Sequence, residues 1–142
     1  MAETVINEIL CIPGKKRNYA VEFPYIEEIC QSLQVSCIPC LPQWYCGMGN
    51  YKGMIIPVIR MERDEETGRR MIMVLKHEQF ILGVEISPRT FIVQKSSAKE
   101  ISRNQETGDA ELWKEKELFM VDKELYSLID VEKSLDNLVL YP

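Results

Sequence analysis

The chain has 142 residues, of which 46% are apolar and 27% charged, with a formal net charge of −5. That length makes one domain with a real core the expectation, and the acidic balance argues against nucleic acid or an anionic membrane as partner, since both require a basic face. No apolar run is long enough to span a membrane, and the first residues lack the basic start and cleavage site of a secretory leader, so a cytosolic location is expected.

In chain order, residues 5–12 read as a strand, Pro13 and Gly14 as a turn, and residues 19–23 as a returning strand. From Pro24 the period changes. Ile26, Ile29, Cys30 and Leu33 fall at i, i+3, i+4 and i+7, which predicts one face of a short helix, with Glu27 and Glu28 near its positive end. A proline-rich loop (Pro39, Pro42) and a glycine-rich segment (Gly47, Gly49, Gly53), itself read as loop, then lead into an almost unbroken apolar run, a strand over residues 55–59 buried on both faces. Pro57 inside it cannot donate to a ladder, which places that point at an edge or a bulge.

Beyond a charged turn at residues 64–69, strands are expected at 71–76, 80–86 and 91–93, followed by a polar exposed loop over 96–110. Residues 117–121 and 125–129 read as a closing hairpin around Asp122 and Lys123. Asp130 is placed to cap a terminal helix carrying Val131, Leu135 and Leu138. The segment from Ile55 echoes the apolar pattern from Leu125, half a chain length away. Two related halves built of short strands point to two small barrels.

Five cysteines, Cys11, Cys30, Cys37, Cys40 and Cys46, are an odd number in a chain read as cytosolic, which favours free thiols over a disulfide framework. Cys37-Ile-Pro-Cys40 has the CxxC spacing, yet no helical pattern follows to lower a thiol pKa. A thiol-redox or zinc site using Cys37 and Cys40, with Cys30 and Cys46 completing four ligands, is the alternative chemistry. His77 is the single histidine, in a turn, with no nucleophile or orienting acid nominated beside it. The glycine-rich segment lacks phosphate-loop spacing. Trp44, Tyr45 and Tyr51 flank its glycines as core or contact residues. The expectation is a protein without catalytic activity or cofactor.

Taken together, Tyr19-Ala-Val-Glu-Phe, Ile26-Glu-Glu-Ile, the block around Gly47, Asn50, Gly53 and Ile56-Pro57-Val58-Ile59, Met71-Ile-Met-Val-Leu and Ile129-Asp-Val-Glu-Lys fall in an order that resembles the CheW-like domains, the coupling proteins of bacterial chemotaxis. The resemblance covers most of the chain. It implies an all-β fold, one CheW-like domain over residues 1–142 made of two small SH3-like five-stranded β-barrels packed side by side. It further implies an adaptor with two partners, the regulatory domain of the histidine kinase CheA and the cytoplasmic tip of methyl-accepting receptors, the latter received at the seam between the barrels. Ile26, Glu28, Gly47 and Lys52 match the family's receptor-facing positions. The chain departs from the family pattern at Cys46, where a basic residue is usual, at Lys52 in place of Arg, and at Arg60 in place of Asp.

Overall fold

The computed structural model describes residues 8–37, 45–61, 71–97, 99–100 and 113–140. In chain order the strands are β1 (Glu8–Ile12), β2 (Asn18–Glu22), β3 (Ile26–Cys30), β4 (Val35–Ser36), β5 (Tyr45–Tyr51), β6 (Met54–Arg60), β7 (Met71–His77), β8 (Phe80–Ile86), β9 (Phe91–Gln94), β10 (Lys99–Glu100), β11 (Glu115–Val121) and β12 (Glu124–Ile129), with helix α1 at Val131–Leu140. They make two six-stranded sheets, ordered β10-β11-β12-β2-β1-β9 and β3-β7-β8-β6-β5-β4. Each sheet belongs to its own compact unit. The all-β barrel expectation holds, with a two-residue strand added to five longer ones in each sheet.

Unit one is built on period-2 alternation, which sends every second side chain to one face. Ile9 and Cys11 of β1, Ala20 of β2, Phe119 and Val121 of β11, and Tyr126 and Leu128 of β12 form its core, with Phe91 and Val93 packed against them. Phe91 meets Tyr126 edge to face at 5.9 Å, a geometry the ring quadrupoles favour. The Glu22 carboxylate is only 9% exposed and sits 3.2 Å from Lys116 Nζ and 3.8 Å from Lys95 Nζ, partners a buried charge requires. Helix α1 starts as expected: the Lys133 N–H donates to Asp130 Oδ1 at 3.0 Å and the Ser134 N–H to the Asp130 carbonyl at 3.0 Å.

Unit two gathers Tyr51, Ile56, Val58, Ile72 and Val74, with Cys30, Leu33, Val35, Cys46 and Ile81 packed against them. The structure corrects the sequence reading in three places here. Residues 26–30 are the strand β3, not a helix, entered through a short 3₁₀ turn at Phe23–Tyr25 that holds Pro24. Ile26 pairs with Leu75 and Glu28 with Val74, so Glu27 is an extra residue in a bulge. One extra residue breaks strict alternation, and the broken alternation imitates a helical period. The glycine-rich segment is the strand β5, not a loop. The apolar run of β6 is not buried throughout: Met54 and Ile55 are exposed, whereas Val58 and Ile59 are buried. Pro57 lies opposite Met48 of β5, one residue before β6 gains its parallel partner β8 at Val58, so it stands where the strand has a single ladder neighbour, as expected. Pro39, Cys40, Pro42, Trp44, the turn at 64–69 and most of the 96–110 loop lie outside the described residues.

Ile59 is fully buried. Ile59→Ala removes its side chain from a close-packed setting and is expected to lower stability by about 2–5 kcal/mol. Urea unfolding checks this: the midpoint falls while the slope stays unchanged.

Candidate functional site

The Glu28 carboxylate gathers the one cluster of exposed charge that the expected site residues form. β3 carries Glu28, and the β5–β6 hairpin brings Tyr51 and Lys52 to it. Lys52 Nζ lies 3.1 Å from Glu28 Oε1. The Tyr51 hydroxyl donates to the same oxygen at 3.2 Å, and the Cys30 thiol donates to Oε2 at 3.3 Å. The Lys52 ammonium holds the Glu28 carboxyl below its ordinary value, and the Cys30 and Tyr51 hydrogen bonds add to the effect. Glu28 in turn raises the Lys52 ammonium. Lys52 also lies 5.3 Å from the centre of the Tyr51 ring, within cation–π reach. The two opposite charges therefore face each other at the surface. Beyond the turn stand two exposed apolar side chains, Met54, 48% exposed, and Ile55, 63% exposed.

Of the four expected site residues, the structure brings Glu28 and Lys52 into contact. Ile26 is half-buried on β3, two positions from Glu28 across the Glu27 bulge. Gly47 sits elsewhere. It is buried in β5 at φ +150°, and a Cβ there would overlap the Ser36 carbonyl of β4. Its smallness serves the approach of the chain's own strand β4. Tyr51 was read from sequence as a core or contact residue, whereas Cys30, Met54 and Ile55 were not singled out for this surface. The apolar pattern around Met54 and Ile55 read as buried strand, and only the turn's position exposes them.

The thiols have other engagements. The Cys46 thiol donates to Glu85 Oε1 at 3.0 Å. Burial first, and the Glu85 bond second, push it up to about 12 against the opposing influence of Arg60. Burial likewise pushes Cys11 up to about 12. Cys11, Cys30, Cys37 and Cys46 are free, and Cys40 lies outside the described residues. Among the described residues no group of three or more His, Cys, Asp or Glu side chains is placed to hold a metal ion.

A raised thiol pKa stabilises the fold below the unfolded thiol's pKa, and that contribution disappears as pH climbs through the folded value. Stability is expected to fall between about pH 9 and pH 12, and Cys11→Ala combined with Cys46→Ala to flatten that part of a melting-temperature profile against pH. Gly47→Ala is expected to lower the melting temperature sharply, because the Cβ meets backbone and not a yielding side chain.

The family model for the CheW-like domain matches residues 8–138. No curated protein matches the chain. Its fold is similar to that of the scaffolding protein TtCheW from Thermoanaerobacter tengcongensis, with a TM-score of 0.68 and 16% identity over 88% of this chain and 84% of that one. The chain belongs to the CheW-like domain family.

Proposed function

We propose that this chain is a non-enzymatic, cytoplasmic chemotaxis adaptor that couples methyl-accepting receptors to the histidine kinase CheA. In this reading it is a single CheW-like domain made of two β-barrel subdomains. The observation that carries the reading is the family match over residues 8–138, and the description of the similar TtCheW as a scaffolding protein supports it. Among the described residues no helix is long and apolar enough to cross a membrane.

The receptor surface is assigned to Ile26, Glu28, Gly47 and Lys52, with Met54 and Ile55 added as apolar anchors; Gly47 contributes by letting β4 approach β5 closely. A helical tip docks through spaced apolar contacts. The Glu28–Lys52 pair supplies opposite charges that set register and exclude wrong partners more than they add affinity. Such binding needs neither nucleophile nor cofactor.

Titration calorimetry of the full chain against a receptor-tip fragment and, separately, a fragment carrying the CheA regulatory domain tests the proposal. The parent is expected to bind both. Lys52→Glu is expected to weaken the receptor complex by about tenfold or more through like-charge repulsion and to leave kinase binding unchanged. A parent that binds neither fragment overturns the adaptor reading.

A further inference from the structure

We propose that Asn50 is the positioning residue of this surface: by accepting the Gly53 N–H it fixes the β5–β6 turn in the backbone conformation that carries Lys52 onto Glu28. The consequence for the partner rests on the receptor reading above; the positioning itself does not.

Tyr51 pairs with Met54 and Asn50 with Ile55, so the hairpin loop is Lys52-Gly53 alone. Lys52 has φ +50° and Gly53 φ +84°. Left-handed backbone at both central positions is the type I′ turn, which favours Asn or Gly first and Gly second. Gly53 fits, and the space where its Cβ would stand is open, so glycine is required there by the backbone alone. Lysine does not fit. Its side chain crowds the following carbonyl in this conformation, and a residue held so is sustained by its surroundings.

Asn50 supplies the support: its Oδ1 accepts the Gly53 N–H at 3.0 Å. The β11–β12 turn solves the same problem differently, with Asp122 at φ +47° ahead of Lys123 at φ +68°; Asp itself tolerates the left-handed region. In the β5–β6 turn the short polar side chain stands two positions earlier and acts as an acceptor. That leaves the first central position to a long cation, placed at 3.1 Å from Glu28. The same turn presents the exposed Met54 and Ile55.

The test uses the full chain as parent, Asn50→Ala, Asn50→Asp, Gly53→Ala and Lys52→Met. The readouts are hydrogen exchange at the residue 53 amide, NMR titration of the Glu28 carboxyl, melting temperature, and affinity for a receptor-tip fragment. Asn50→Ala is expected to speed exchange about two- to tenfold, the loss of one hydrogen bond, to move the Glu28 titration up to where Lys52→Met puts it, and to weaken the fragment as Lys52→Met does. Asn50→Asp keeps the acceptor and restores Gly53 protection. Gly53→Ala, which meets no neighbouring atom but is strained at φ +84°, reproduces the Asn50→Ala titration. The proposal is overturned if Glu28 titrates in folded Asn50→Ala as in the parent, or if Asn50→Asp fails to restore protection. If Glu28 moves as expected while Lys52→Met and Asn50→Ala both bind the fragment like the parent, positioning stands and the receptor reading fails.

Discussion

Each sheet must be joined end to end by side chains, and the rest of the structure depends on that closure. An open edge with unpaired backbone groups is a liability, and end strands of two residues offer too little ladder to remove it. In the second unit, Glu28 on the end strand β3 takes hydrogen bonds from Tyr51 and Lys52 at the far tip of β5. In the first, Lys95, just past the end strand β9, lies 3.6 Å from Glu117 and 5.9 Å from the centre of the Phe119 ring on β11. An exposed ion pair contributes little by itself. The larger share falls to the buried rings of Tyr51 and Phe119, which bury wide apolar area. The charged groups fix how the ends meet. The proposed binding surface is thus built on one of the two closures.

The two units share one wiring. Each runs from a two-residue strand through two antiparallel pairings to a single parallel one, then two antiparallel pairings. β6 and β12, the strands that echo each other in sequence, hold the same place: each follows a two-residue hairpin and then makes the parallel pairing. A strand between two neighbours, packed on both faces, reads as a near-continuous apolar run. The echo marks that shared environment.

Strands with clear turns were legible in the sequence. β8 and the β11–β12 hairpin fall where alternation and turn residues placed them, and the Asp130 cap does as well. β3 was not legible as a strand, because the Glu27 bulge shifts the alternation, and pairing with β7 overrides the helical spacing it leaves behind. β5 read as a loop because glycine normally signals one. Here the glycines admit neighbours: a Cβ at Gly47 would strike the Ser36 carbonyl, and one at Gly49 would lie 2.9 Å from Leu33 Cδ2. Only a close approach across the sheet reveals that use, and no local pattern encodes it. The same limit applies to the site. Glu28 and Lys52 were found through resemblance, but the Tyr51 and Cys30 contacts with Glu28 depend on the bulge and the turn acting together.

The departures at Cys46 and Arg60 acquire a joint explanation from the sheet. β5, β6 and β8 are adjacent, and Arg60 is in register with Glu85 across the parallel pair. The Cys46 thiol donates to Glu85, and the Arg60 guanidinium stands beside both groups. The family pattern puts a base at the first position and an acid at the second. This chain puts a neutral donor at the first and the base at the second, with Glu85 as the acid that answers them. A positive group at 46 would compete with Arg60 for one carboxylate in a partly buried setting, where an unpaired cation is costly. The two departures meet in one cluster: Cys46 donates to Glu85 and Arg60 lies in register with it, while the buried Arg60 Nε has no hydrogen-bond partner among the described residues.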